Sequence, residues 1–218
     1  WAAAQTGPRV VSVVTGEIPG KSSSTVMIGS HHDTAYFSEG QPTESLGVAQ
    51  IIEIARELGS HELENTVRFV SWGGEELGLL SSQAYTDQLE DKSEIELYIN
   101  LDSAVLSESH GFNSITIEAS SGQLAEKAKS SASRSLEGHS SYSALVIANE
   151  GPDSIVHGCS SHRSFNLIGS QSIGIGPQRD LPTSSEIWPM CAHYREYQPP
   201  DLQAGGLDEA GAALVPHL

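Results

Sequence analysis

Positive charge is scarce in this chain. Its 218 residues carry 11 Lys and Arg against 28 Asp and Glu, a formal net charge of -17. A surface of that sign repels phosphate backbones and anionic headgroups, which sets nucleic acid and acidic membranes aside as partners. It suits metal ions and cationic groups instead. Cysteine is nearly absent: Cys159 and Cys191 are the only two. That excludes a disulfide scaffold and leaves either one bridge in an oxidising compartment or two buried thiols. No apolar run is long enough to span a bilayer. Nothing at the start reads as a basic, apolar leader, and the first residue is Trp1 rather than Met. The expectation is therefore a processed product or excised domain, extracellular or secreted. Neither an internal repeat nor a long linker interrupts the chain.

Hydrophobic residues make up 38% and charged residues 18%, the balance of a globular domain long enough to bury a sizeable core. Val10 to Ile18 is rich in Val and Ile and runs into the turn "PGK", which predicts a strand. The short runs "VMI" and "VRFV", and then "YINL", "SITI", "ALVI" and "SIGIG", predict further strands. Helices are predicted between them. "LGVAQIIEIARELGS" spaces Val48, Ile51, Ile52, Ala55 and Leu58 at helical intervals and stops at Gly59. "LGLLSSQAYTDQL", a Ser/Ala/Lys segment from about Gln123 to Leu136, and weakly "DLQAGGLDEAGAAL" complete the set. Strands alternating with helices predict an α/β sandwich with a mainly parallel sheet. Strands with so little polar alternation are buried on both faces.

Ligands of such sheets gather outside the carboxyl ends of the strands, and three strands here end in metal-binding residue types. His31 and Asp33 follow "VMIGS". Glu75 and Glu76 follow "VRFVSWGG". Asp102 closes "YINL". Each alone has an ordinary explanation: a loop residue, a cap, or a favourable charge at a helix start. Asp102 is harder to dismiss, because a lone buried carboxylate is costly unless paired or metal-bound. Together they suit zinc, which accepts imidazole and carboxylate and keeps a position open for water in catalytic sites. Adjacent glutamates can divide the work, one on the metal and one taking the proton of the attacking water.

The segments "GEIPGK", "VMIGSHHDT", "GVAQIIEIAREL", "VRFVSWGGEELGLLSSQAY" and "YINLD" resemble the peptidase domain of the M28 zinc aminopeptidases. The resemblance is strong from Gly16 to Asp102 and thinner beyond. It implies one peptidase domain over 1–218, starting late relative to the family and so lacking an upstream segment or domain. The implied fold is a three-layer α/β sandwich, with a mixed, mostly parallel sheet of about eight strands between helices. The implied activity is metal-dependent removal of N-terminal residues from peptides. By the same resemblance His31 and Asp102 bind one zinc, Glu76 and His193 bind a second, Glu75 is the general base, and Asp33 orients His31. His157 and His162 compete with His193 for the last position, although "GCSSHRSF" better resembles a family segment that is not a ligand.

One position departs from the family. Members carry an Asp-Asn pair before the helix, in the manner of G-A-x-D-N-A-S-G-V-A. Aligned without gaps from Gly47-Val48-Ala49, the segment "GQPTESLGVA" puts Thr43 on the bridging Asp and Glu44 on the Asn. That Asp holds together two cations roughly 3.5–4 Å apart, and a neutral hydroxyl replaces it poorly. Three outcomes are open: Glu44 bridges after a shift of the loop, one zinc binds alone, or none binds and the domain binds a peptide or partner without turnover. Carboxypeptidase or glutaminyl cyclase chemistry on the same fold is a further alternative. His32 is expected to point away from the site. Trp72 and Trp188 are either packing residues or pocket walls, and "DLPTSSEIWPM" is a candidate specificity loop.

Overall fold

The computed structural model describes residues 10–34, 42–102, 113–148 and 160–177. Seven strands among them form one sheet: β1 (Val13–Ile18), β2 (Thr25–His31), β3 (Thr66–Trp72), β4 (Ile95–Leu101), β5 (Ser114–Ala119), β6 (Ser143–Ala148) and β7 (Gln171–Pro177). Four α-helices accompany them: α1 (Pro42–Leu58), α2 (Leu80–Gln88), α3 (Gly122–Ser135) and α4 (His162–Leu167). The strand order is β1-β3-β2-β4-β7-β5-β6. β3, β2, β4 and β7 run parallel, as do β5 and β6, while β1 and the β5–β7 pair are antiparallel. This is the mixed, mostly parallel α/β sandwich that the alternating pattern predicts.

The two faces of the sheet are built differently. Alternate residues of a strand face opposite sides, so β4 sends Leu101 to one side and Tyr98 and Asn100 to the other. The first face is dry. Ile28, Phe69, Leu101, Ile115, Ile117, Ile173 and Ile175 pack there with Ile51 of α1 and Leu124, Ala125, Ala128 and Ala132 of α3. On the second face Met27, Val70, Trp72, Ile95 and Tyr98 meet Phe165 of α4 and Tyr85 of α2. Trp72 and Tyr98 are fully buried here, so Trp72 is a packing residue. The core stripe of α1 differs from the predicted one: Ile51, Ile54, Ala55 and Leu58 reach the core, whereas Ile52 is 64% exposed. α4 was not foreseen, because "HRSFNL" is too short to show a helical period.

β1 is an edge strand, exposed along almost its whole length. Arg68 of β3 anchors it, bonding Glu17 across the pair at 3.1 Å and also Glu94 at 3.1 Å and Tyr85 Oη at 2.9 Å. At the centre of the sheet α1 approaches so closely that Gly47 has no room for a side chain. A Cβ there would run into Ser30 Oγ and come 2.6 Å from the Leu101 carbonyl. Ser30 and Leu101 each precede a predicted ligand, so this contact seats α1 directly behind the site.

Gly47→Ala is expected to cost about 1–3 kcal/mol, the usual range for overpacking a well-filled core. Gly16→Ala on β1, where an added Cβ meets nothing within 4 Å, is expected to leave stability unchanged or slightly raised. Urea unfolding of both variants measures the contrast.

Candidate metal centre

Register brings the predicted ligands together. β2 lies between β3 and β4, parallel to both, with His31 opposite Trp72 and Gly29 opposite Asn100. The carboxyl ends of the three strands therefore share one rim. His31 closes β2, Asp102 follows β4, and Glu75 and Glu76 occupy the turn after β3. All four are buried, at 3, 7, 5 and 6% exposure respectively.

The turn after β3 owes its path to glycine. Gly74 adopts a φ of 71°, where a residue without a Cβ is favoured. Space matters as well: a Cβ on Gly73 would come 2.6 Å from the Ser12 carbonyl, and one on Gly74 2.7 Å from Val11 Cγ1. The two glycines thus let the turn pass close to the chain entering β1. Leu79 follows at φ 61° and caps α2. It is a non-glycine residue in the left-handed region.

Asp33 secures the turn from the β2 side. Its carboxylate accepts the amides of Glu75 at 3.1 Å and Glu76 at 3.0 Å, one on each oxygen. Its main-chain carbonyl lies 2.9 Å from His31 Nδ1, with its carboxylate 3.7 Å from the same nitrogen. Asp33 therefore faces both the histidine and the glutamate pair. Burial alone would raise its pKa, but His31 and the two amides hold it below the ordinary carboxylate range. With Nδ1 engaged, His31 turns Nε2 into the site, 3.4 Å from Asp102 Oδ1.

The charge in this cluster is unbalanced. Burial and the neighbouring Asp102, Glu76 and Asp33 together outweigh the attraction of His31 and push Glu75 well above its usual value. Burial disfavours the charged form of His31, yet Asp102, Asp33 and Glu75 push it well up. Ligand atoms of His31, Glu75 and Glu76 all lie within 4.8 Å of one another. His31 Nε2 and Glu75 Oε1 are buried without a hydrogen-bond partner among the described residues. Inward-facing imidazole nitrogen and carboxylate oxygens with a surplus of negative charge fit a divalent cation, and the N/O donor set fits zinc.

The other predicted residues divide between places. His32 is exposed and bonds Ser71 Oγ through Nδ1 at 2.9 Å. His162 of α4 is buried outside the metal-ligand group, with Nε2 3.2 Å from Glu118 Oε2. Burial lowers its pKa to about 4, and its ring fills the space over Gly174, where a Cβ would come within 2.6 Å of it. His193, His157, Cys159, Cys191, Trp188 and the "DLPTSSEIWPM" segment lie outside the described residues, as do the side chains of Thr43 and Glu44.

A buried relay runs beneath the site, unforeseen in the sequence. Trp72 Nε1 donates to Tyr98 Oη at 2.8 Å, which donates to Asn100 Oδ1 at 2.7 Å. Asn100 Nδ2 donates to Ser160 Oγ at 2.7 Å. Burial keeps the Tyr98 phenol well above its ordinary pKa, so it remains a neutral hydroxyl. Its ring stacks on Phe165, with centroids 3.9 Å apart.

Comparison with known proteins agrees with this fold. A stretch of 85 residues is 36% identical to leucine aminopeptidase 2 of Trichophyton equinum, covering 38% of this chain and 17% of that protein. The fold matches BSAP, a zinc aminopeptidase from Bacillus subtilis, with a TM-score of 0.67 and 22% identity, over 94% of this chain. It also matches Porphyromonas gingivalis glutaminyl cyclase, with a TM-score of 0.62 and 16% identity, over 95% of this chain and 75% of that one. The chain spans about half the length of the Bacillus enzyme, 47%. Peptidase family M28 matches residues 13–211, nearly the whole sequence. The chain belongs to peptidase family M28.

Proposed function

We propose that this chain is a zinc-dependent exopeptidase that releases N-terminal residues from peptides. The observation that carries the reading is the inward convergence of His31, Glu75 and Glu76 within 4.8 Å, beside Asp102 at 3.4 Å from the same histidine nitrogen. Aminopeptidase relatives support the choice of reaction.

His31 and Asp102 would hold one zinc, and Glu76 with His193 the other. Bound zinc would supply Lewis acidity, polarising the scissile carbonyl and acidifying a water. Glu75 would accept the proton of the attacking water and return it to the leaving amine. Burial and the neighbouring carboxylates raise its affinity for a proton, the direction a general base at this position needs. Asp33 would hold the imidazole in one tautomer, as metal-bound histidines require. It also fixes the Glu75–Glu76 turn through its two amide bonds.

Thr43 offers no carboxylate where the family carries its bridging Asp. We infer that the chain holds a single zinc firmly and a second one weakly. A chain that holds no zinc and turns over nothing would be a peptide- or partner-binding module. The glutaminyl cyclase fold match makes cyclisation of N-terminal glutamine the other chemistry to assay.

Elemental analysis combined with aminoacyl-anilide hydrolysis tests the reading. The expected result is bound zinc and metal-dependent turnover; neither in the intact chain would refute it. Glu75→Gln is expected to lower kcat by about 10²–10⁴-fold, the usual contribution of a general base, with zinc content unchanged. Thr43→Asp is expected to raise the zinc content and tighten the weaker site. An unchanged zinc titration would show that position 43 is not the bridging position.

A further inference from the structure

We propose that the Tyr98 hydroxyl is a positioning group for the metal centre, locking the turn that carries Glu75 and Glu76 to the strand end that carries Asp102. This role rests on the zinc-peptidase reading above.

The relay beneath the site joins the roots of the ligand-bearing segments. Trp72 ends β3 and stands three residues before Glu75. Asn100 of β4 stands two residues before Asp102, which follows the strand. Tyr98 Oη bridges the two, accepting from one and donating to the other. Ser160, at the entry to α4, receives the last bond of the series. All four residues are at most 5% exposed. Hydrogen bonds in such a setting are strong and directional, and breaking one strands its partners without water.

β2 enters the same fit without a hydrogen bond. A Cβ on Gly29 would run into the Tyr98 hydroxyl oxygen and come 2.7 Å from Val70 Cγ1. Gly29 stands two residues before His31 and faces the same side. The hydroxyl therefore sits at the junction of β2, β3 and β4, directly below the three strand ends that meet at the rim. The ring and the hydroxyl do separable things. Stacking on Phe165 fills space between sheet and helix, while the oxygen sets the relative height of two backbone segments.

A comparison of three variants in the full chain separates positioning from packing. Tyr98→Phe keeps the ring and removes the oxygen. Ser160→Ala removes the far end of the relay. Phe165→Leu disturbs the stacking and touches no hydrogen bond of the relay. Zinc affinity is read by chelator competition, and kcat and KM for an aminoacyl-anilide are read at saturating zinc.

Tyr98→Phe is expected to weaken zinc binding roughly tenfold, the lower end of what outer partners of metal ligands contribute. It is expected to lower kcat with KM unchanged. Ser160→Ala moves both in the same direction by less. Phe165→Leu lowers the melting temperature of the metal-free chain and leaves zinc affinity within about twofold of wild type. The proposal is overturned if Tyr98→Phe and Ser160→Ala leave zinc affinity and kcat unmoved, or if Phe165→Leu weakens zinc as much as Tyr98→Phe does. Should Tyr98→Phe fail to fold, Ser160→Ala decides between the same outcomes. A wild-type chain that binds no zinc overturns the metal-site reading and this role with it. Wild-type binding with unmoved variants overturns this role alone.

Discussion

The geometry of the site depends on one carboxylate that need touch no substrate. Asp33 accepts two consecutive amides, those of Glu75 and Glu76, while its own carbonyl faces His31. A glycine-rich turn has many paths open to it, and a carboxylate with two oxygens selects the one path that presents both amides. Because Asp33 belongs to the segment leaving β2, the selection is made relative to His31. The consequence is that the spacing of imidazole and carboxylate donors from two strands is set by the protein's own hydrogen bonds.

Burying so many acids together is unfavourable, and the architecture confines that burial to one face of the sheet. The α1/α3 face is filled by Ile, Leu, Phe, Val and Ala. The α2/α4 face holds the site, the Trp72–Tyr98–Asn100–Ser160 relay, the Glu118–His162 pair and the contact of Ser82 with Ser164. Small residues in the strands make this possible. Gly29 leaves space for the Tyr98 hydroxyl and Gly174 for the His162 ring. The dry face supplies most of the hydrophobic stabilisation, and the other face spends its volume on orientation. A neutral His162 beside Glu118 suits such a layer, since burial disfavours the imidazolium there.

The strand ends that carry His31, Glu75, Glu76 and Asp102 to one rim were legible in the sequence for a physical reason. Strands covered on both faces are mostly apolar, so the acid or histidine at the end of each one stands out. The parallel order β3-β2-β4 then turns three separate exits into one rim. The polar layer under the site was not legible in the same way. Its bonds join residues far apart in the chain: Asn100 to Ser160, Glu118 to His162. Serine and asparagine in a short run carry no periodic signal, and neither does a six-residue helix. Helical spacing puts Ile52 in the stripe beside Ile51, but neighbouring residues of a helix point about 100° apart, and with Ile51 buried against the sheet Ile52 turns to solvent. The roles assigned to His193 and to Thr43 rest on sequence resemblance alone.

The position of β7 has a bearing on when the site can exist. It is the last described strand in the chain, yet it lies in the middle of the sheet, between β4 and β5. The amide of Asp102 bonds the carbonyl of Ile175 in that strand, more than 70 residues further on. A nascent chain can pair β1 to β4 once its first hundred or so residues have been made, but β7 joins β4 only after the C-terminal half has been made. Until then the Asp102 amide lacks its bond to Ile175 and the rim lacks one wall. Assembly of the candidate centre is thereby tied to completion of the fold, and a chain that stops short of β7 would leave the rim open.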